Sequence, residues 1–167
     1  MRRAMVFATA LSTLAAAPAL AGPPAGQARA AFERLVKLDG NWKSQAKDDV
    51  VFVTWRVIAN GQAVLETVSN ADHTKVTSAT IYSVEGDELV ASHFGAEAAH
   101  PRLALKAQEA ARLRFEATDA PKVAHVSALL LVQKADDVLT VEWTTSAGGK
   151  ATRRAVDLKR EYLDTLK

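Results

Sequence analysis

The chain has 167 residues, 49% of them hydrophobic, with 21 Lys and Arg, 19 Asp and Glu, and no cysteine. The lack of cysteine excludes disulfides, a lipoprotein anchor, a thiolate metal site and a cysteine nucleophile. Two of the basic residues, Arg2 and Arg3, precede an apolar run and belong to an export signal, so the rest of the chain is formally neutral. This balance argues against nucleic acid or an anionic membrane as a partner.

The first 21 residues have the layout of a secretory signal peptide. A basic start is followed by an uncharged, alanine-rich run over residues 4–17 and by a small-residue cleavage sequence at 18–21. The run is shorter than the roughly 20 apolar residues that span a bilayer. We expect export by the general secretory route, with the twin-arginine route as the alternative. The sequence thus predicts a periplasmic or secreted protein without a membrane span.

The remaining residues predict a single domain. Residues 22–27, rich in Pro and Gly, are expected to form a linker, and the domain is predicted over residues 28–167. It begins with a short helix at 28–38, where Phe32, Leu35 and further apolar residues recur at helical spacing.

From Gly40 onwards apolar residues alternate with polar ones, which is typical of half-buried strands. The predicted strands are one opening at 40–42, then 50–58, 62–69, 76–84, 88–94, 102–108, 112–118, 123–133, 138–145 and 151–158. Short connections such as Asn60 with Gly61 and Gly148 with Gly149 make neighbours antiparallel. Residues 159–166 are predicted as a short helix or an extension.

A meander of about ten twisted strands tends to close on itself, because closure removes the two exposed edges. We therefore predict an all-β fold, an up-and-down antiparallel barrel entered through the N-terminal helix. Larger barrels of this type enclose a cavity, which is the main general argument for ligand binding.

His93 is the first candidate for a functional residue. Alternation places it on the same strand face as Leu89 and Ala91, where it can face a cavity, bind a ligand or exchange a proton near neutral pH. The alternative is a core histidine whose ring is satisfied by a backbone carbonyl or a neighbouring hydroxyl.

Arg102 and Glu66 are the charged candidates. Arg102 comes just past a break, where its guanidinium can hold a carboxylate or phosphate at the barrel mouth, or instead form a structural salt bridge with Glu66 or Glu88. Glu66 shares a face with apolar residues, and an inward carboxylate would need Arg102 or Arg56 as a partner because an unpaired buried charge is costly. The predicted ligand-binding residues are His93, Arg102, Glu66, Trp55, Tyr82 and His100.

Metal and cofactor chemistry lacks a clear signal in the sequence. The histidines lie too far apart for zinc-ligand spacing: His73, His93, His100 and His125. We expect no cofactor, with convergence of distant side chains on a metal or haem as the alternative. The chain also lacks a phosphate-binding loop, a dinucleotide-binding glycine pattern and an activated-serine motif, and no catalytic residue is assigned.

Several motifs resemble a known family. Gly40-Asn41-Trp42 after a helix resembles the entry of calycins, the group containing lipocalins and fatty-acid-binding proteins. The segments 63–67, 72–73, 86–89, 93–95 and 99–103 resemble, in order, G-x-A-V-x-E-T, D-H, G-D-x-L, H-Y-C and N-Q-P-R-M of uncharacterised, mostly bacterial lipocalin-like proteins. His93-Phe94-Gly95 replaces H-Y-C, and 99–103 keeps only the Pro-Arg pair. The resemblance implies a lipocalin-like barrel such as the ten-stranded nitrobindin-like form.

Three functions agree with these observations. The leading one is an exported binding or carrier barrel for a small, largely apolar or amphipathic ligand, whose polar end contacts His93 and Arg102. The second is an enzyme of the isomerase or hydrolase type, with His93 as general acid or base and Glu66 or Arg102 orienting the substrate. The third is a packed cell-envelope protein that binds a partner through its surface. We expect a binding protein rather than an enzyme, and the sequence does not indicate a protein partner.

Overall fold

The computed structural model describes residues 25–119 and 121–162, which form one helix followed by ten strands. The helix α1 spans Ala25–Val36. The strands are β1 (Gly40–Ser44), β2 (Phe52–Ile58), β3 (Ala63–Ser69), β4 (Val76–Glu85), β5 (Glu88–Phe94), β6 (Arg102–Glu109), β7 (Arg112–Ala117), β8 (His125–Ala135), β9 (Val138–Ala147) and β10 (Lys150–Glu161). The predicted signal peptide lies outside the described residues.

The ten strands form one closed barrel. Each strand pairs antiparallel with its neighbour in the chain, and β10 returns to pair with β1, with Trp42 opposite Arg160 and Ser44 opposite Leu158. Every strand in the described part of the chain therefore has a partner on both sides, which leaves no exposed sheet edge there. This confirms the predicted up-and-down antiparallel barrel with a short helix before it.

Helix α1 packs at the end of the barrel where the β6–β7 hairpin lies. Its apolar face carries Phe32 and Leu35, which are buried in the same cluster as the inward side chains of the strands. The Arg34 guanidinium donates hydrogen bonds to the backbone oxygens of Glu109 (2.8 Å) and Arg112 (3.3 Å) in that hairpin. Among the described residues no helix is long and apolar enough to cross a membrane.

The connection from α1 to β1 is held by an arginine from the last strand. Arg160 donates hydrogen bonds to the backbone oxygens of Lys37 (2.7 Å) and Asp39 (2.6 Å), and its guanidinium lies 4.5 Å from the centre of the Trp42 ring. Gly40 has a φ of 141°, and a Cβ atom there would approach the Arg160 guanidinium to 2.9 Å. A glycine at this position thus allows both the turn and the arginine contact.

The middle of the barrel is filled by large side chains. Alternate residues of each strand point inward, and the bulkiest of those that are completely buried include Trp42, Trp55, Tyr82 and Phe115. Tyr82 stacks on Trp55 with ring centres 5.5 Å apart and meets Phe115 edge-on at 5.5 Å. The packed core occupies the middle of the barrel and leaves room for a ligand only towards its ends.

Most boundaries fall within two residues of the sequence-based prediction, and two differ by three residues. The helix begins at Ala25, so residues 25–27 belong to the helix rather than to a linker. The last strand continues to Glu161 instead of ending at 158, because residues 158–161 are the partners of β1. Residues 159–166 were predicted as a short helix or an extension. As far as the structure describes them, they extend the last strand.

The predicted turns adopt the expected backbone. Asn60 and Gly61 have positive φ angles of 56° and 83°, and Gly148 and Gly149 have φ angles of 56° and 77°. Ala59 also has a positive φ of 52°. Because Ile58 pairs with Ala63, the β2–β3 loop has four residues, 59–62, rather than two.

Candidate ligand-binding site

Four inward-facing side chains form a row across neighbouring strands. Trp55 on β2 lies opposite Glu66 on β3, Glu66 lies opposite Thr80 on β4, and Thr80 lies opposite His93 on β5. All four are buried. Directly opposite residues in a sheet face the same side, so the strand register brings polar groups that are distant in the chain together inside the barrel.

The Glu66 carboxyl group is hydrogen-bonded through one oxygen. The Tyr82 hydroxyl donates to Glu66 Oε2 at 2.6 Å, whereas Oε1 has no hydrogen-bond partner among residues 25–119 and 121–162. Burial raises the pKa of Glu66 to about 7, and the bond from Tyr82 offsets part of this rise. Burial, together with the Glu66 carboxylate, also raises the pKa of Tyr82 well above its usual range. Glu66 therefore changes its charge near neutral pH, while Tyr82 keeps its proton.

Two buried hydrogen bonds lie in this part of the barrel. The Thr80 hydroxyl lies 3.0 Å from His93 Nδ1, and the Tyr82 hydroxyl donates to Glu66. Thr80 and Tyr82 are two residues apart on β4 and point to the same side of the sheet. None of these four residues is more than 4% exposed, so both bonds are shielded from solvent.

His93 also borders a cavity of about 230 Å³. This cavity lies at the end of the barrel away from α1, because His93 is near the end of β5 whereas the helix packs where β5 begins. Six strands and the β5–β6 connection contribute to it. The charged side chains of Glu97 and Arg154, the His93 imidazole and the Trp143 indole line the cavity. Val68 and Val126 form part of its apolar wall.

Gly95 allows the Glu97 carboxylate to approach His93. Glu97 Oε2 lies 4.0 Å from His93 Nε2, which is beyond hydrogen-bond distance. A Cβ atom at position 95 would collide with that carboxylate oxygen and come within 3.0 Å of Nε2. The oxygen is buried and has no hydrogen-bond partner in the part of the chain that the structure describes. Gly95 is thus required for the present arrangement of the two side chains.

The His93 ring is neutral at neutral pH. Burial is the largest influence and lowers the pKa of His93; the Glu97 carboxylate acts in the opposite direction, and His100 lowers the pKa further. A neutral imidazole has one nitrogen that donates a hydrogen bond and one that accepts. The groups around the ring determine which nitrogen carries the hydrogen.

Trp143 and Arg154 complete the cavity, and neither was expected there. Trp143 Nε1 is buried, and within residues 25–119 and 121–162 it has no hydrogen-bond acceptor. Arg154 pairs with Asp49 of the β1–β2 connection. The sequence favours a core position for Trp143 and a solvated surface for Arg154, and it gives no sign that β9 and β10 return to His93. Glu97 was also missed, although its four-residue spacing from His93 across a glycine was an available signal.

Four of the six predicted ligand-binding residues point into the barrel: Trp55, Glu66, Tyr82 and His93. Only His93 among them borders the cavity, and Thr80 stands between Glu66 and His93. His100 is exposed, and its ring centre lies 5.3 Å from that of Phe94.

Arg102 lies on the outer surface of the barrel. It is directly opposite Ser92, which precedes the inward-facing His93 and therefore points outward. Its Nη2 atom pairs there with Glu85 at 3.2 Å and Glu88 at 3.3 Å. Arg102 and His93 therefore lie on opposite faces of the sheet, and Arg102 forms the salt bridge with Glu88 that was the alternative to a ligand contact at the barrel mouth.

A larger depression of about 580 Å³ lies outside the barrel, over β7, β8 and β9. Exposed side chains of both signs surround it, including Arg114, Asp119 and Lys122. Its buried histidine, His125, has Nδ1 2.8 Å from the backbone oxygen of Val123. Because its polar groups are solvated or already bonded, it is a weaker candidate than the cavity beside His93.

The fold and site together define a class: a closed, ten-stranded antiparallel barrel with a helix at one end and a polar cavity at the other. No protein-family model matches the chain, and no curated protein matches it. Among the described residues no group of three or more His, Cys, Asp or Glu side chains is placed to hold a metal ion.

Proposed function

We propose that the protein binds a small molecule in the cavity beside His93. The observation that carries this proposal is the Glu97 carboxylate oxygen, which is buried next to the cavity and lacks a hydrogen-bond partner within the described residues. Leaving a buried polar group unsatisfied costs about 1–3 kcal/mol, and more when the group is charged. A ligand that donates to this oxygen would recover that cost.

The size and lining of the cavity limit the ligand. A volume of about 230 Å³ is just below the roughly 300–1,000 Å³ of sites for drug-sized ligands, so the ligand is small. Its apolar part would lie against Val68, Val126 and Trp143, and its polar end would face His93 and Glu97. This agrees with the amphipathic ligand expected from the sequence, with Glu97 in place of Arg102 as the charged contact.

The proposal includes an exported protein, periplasmic or secreted, related to the lipocalin-like barrels. Support for export comes from the basic, apolar and small-residue pattern of residues 1–21. Support for the relationship comes from the motifs around His93 and from the ten-stranded antiparallel closure. Small-ligand binding in the mouth of a barrel is a common use of this architecture.

A fragment screen followed by two-dimensional NMR tests the binding site. We expect small amphipathic compounds to shift the backbone resonances of residues 93–97 and the indole resonance of Trp143. Ser78→Phe should abolish these shifts, because Ser78 lines the cavity and a phenyl ring would fill it. Ser83→Phe is the matched control, since Ser83 lies on the same strand but on its outer face.

Binding that survives Ser78→Phe would contradict the proposal, as would shifts confined to the depression beside His125. A screen that yields no compound shifting residues 93–97 would also overturn it.

A further inference from the structure

Two hydroxyl groups lie behind His93 on β4. Tyr82 gives its single hydrogen to Glu66 Oε2. Thr80, two residues earlier on the same strand, has its Oγ1 3.0 Å from His93 Nδ1, and a hydroxyl oxygen can accept a hydrogen from that ring nitrogen.

A hydrogen bond from Nδ1–H to Thr80 gives one of the two neutral tautomers of His93. In it Nε2, on the side of the ring that faces Glu97, has a lone pair. Burial lowers the pKa of His93, which keeps a second proton off the ring at neutral pH.

In this tautomer His93 Nε2 and Glu97 Oε2 are two acceptors 4.0 Å apart. They cannot bond to each other, and a donor group between them would satisfy both. Charge-assisted N–H···O bonds are about 2.7–2.9 Å long, so one nitrogen can reach both acceptors across this gap. A primary ammonium group has three donor hydrogens, and the hydroxyls of Thr77 and Ser78 line the same cavity.

The charges around the cavity favour a cation. Glu97 contributes a negative charge, the His93 ring is neutral, and the positive charge of Arg154 is compensated by Asp49. Trp143 adds an aromatic surface to the cavity wall, and aromatic faces attract ammonium groups. An anionic ligand would instead be repelled by the Glu97 carboxylate.

The geometry points to a small protonated primary amine as the ligand, with its ammonium group shared between His93 Nε2 and the Glu97 carboxylate. This inference rests on the proposed binding function and adds the chemical class of the ligand. Its apolar part would lie against the valine and indole side chains of the cavity. Thr80 is a positioning residue, because its hydroxyl accepts from His93 Nδ1 and leaves Nε2 as the acceptor.

An NMR titration at about neutral pH with three matched compounds tests the inference: 2-phenylethylamine, 2-phenylethanol and 3-phenylpropanoate. We expect the amine to bind at least about tenfold more tightly than the other two, because it alone makes charge-assisted bonds to Glu97. Glu97→Gln should weaken amine binding by about tenfold or more and leave alcohol binding little changed. Glu33→Gln on α1, whose side chain is 62% exposed, is the matched control at the other end of the barrel.

The outcomes separate this inference from the proposed function. If the alcohol or the carboxylate shifts residues 93–97 as strongly as the amine does, the amine assignment is overturned while the binding site stands. If the amine produces no shift, the assignment is also overturned, and the fragment screen then decides whether any ligand binds. If Zn²⁺ binds to His93 and Glu97 more tightly than the amine does, the two side chains form a metal site, and the amine assignment is overturned as well.

The ring nitrogens of His93 provide a second, independent readout. Long-range ¹⁵N NMR should show the hydrogen on Nδ1 in the unmodified protein, and the Nε2–H tautomer would overturn the inference. Thr80→Val removes the oxygen that accepts from Nδ1 and nearly keeps the shape of the side chain. We expect this variant to shift the tautomer towards Nε2–H and to lose amine affinity, which a purely structural role of Thr80 would not produce.

Discussion

Glu66 shows what a buried carboxyl group requires from its neighbours. An arginine partner was expected from the sequence, but Arg102 lies on the outer surface, and Arg56 donates to the backbone oxygen of Trp55 and to Asn41. The bond that Glu66 receives comes instead from the neutral phenol of Tyr82. Because a phenol does not compensate a full charge, burial raises the pKa of Glu66 to about 7.

The raised pKa makes stability depend on pH. The ordinary pKa of the group is 4.5 and the folded-state value is about 7, so the folded protein binds the proton more tightly than the unfolded chain does. The contribution of Glu66 is therefore most favourable below about pH 4.5, declines as the pH rises to about 7, and stays low above that value. The difference corresponds to roughly 3 kcal/mol.

We expect Glu66→Gln to gain stability relative to the unmodified protein as the pH rises. The difference in free energy of unfolding between the two proteins should move by roughly 3 kcal/mol in favour of the variant between about pH 4.5 and pH 8. Urea denaturation at both pH values measures it. The exposed Glu109→Gln is the control, and a difference for Glu66→Gln that does not vary with pH would contradict the prediction.

At the scale of elements, α1 depends on the last strand for its attachment. The backbone oxygens that follow a helix C-terminus lack partners within the helix, and Arg160 of β10 supplies donors to Lys37 and Asp39. A cation at this end of a helix is also favoured by the helix dipole. The same guanidinium lies over Trp42 of β1, so one side chain joins the first helix, the first strand and the last strand.

Arg160→Ala should lower the free energy of unfolding by about 2 kcal/mol, because two hydrogen bonds from a charged donor and a cation–π contact are lost. Arg153→Ala is the matched control on the same strand. The Arg153 side chain is 71% exposed and pairs with Glu142, so its loss should change stability by less than about 1 kcal/mol. Chemical denaturation of both variants provides the comparison, and equal effects would show that Arg160 does not hold the helix.

At the scale of the whole molecule, one short ladder closes the barrel. Residues 41–44 of β1 pair with residues 158–161 of β10, whereas the other strand pairs join neighbours in the chain. Contacts between distant segments form only after a large loss of chain entropy. Without this ladder the sheet would keep two unpaired edges, which are sites of aggregation.

Two truncations test the importance of closure. A chain ending at Asp157 lacks the four partners of β1, whereas a chain ending at Tyr162 keeps them. We expect the shorter chain to lose cooperative thermal unfolding and to associate, as measured by light scattering after size-exclusion chromatography. The longer one should remain cooperative, and a cooperative, monomeric shorter chain would contradict the prediction.

The strands were predictable because their signals are local. The alternation in β5 and the glycines at 148 and 149 act within a few residues, and they placed His93 on the inner face and the turns where the structure has them. Alternation also places Ser92, next to His93, on the outer face, and a residue paired with Ser92 on β6 would share that face. The pairing of Ser92 with Arg102 would thus have placed Arg102 outside the barrel. That step requires the register of Ser92 with Arg102, which no local pattern specifies.

The sequence by itself determined the all-β barrel, its approximate strand boundaries and an inward His93, since period-two alternation and turn residues are properties of short segments. The tertiary structure decided which polar groups meet. Strand register aligned Glu66, Thr80 and His93, and the closure of the barrel brought Trp143 and Arg154 to the cavity where Glu97 lies. These contacts join residues far apart in the chain, and their geometry follows from how the sheet closes.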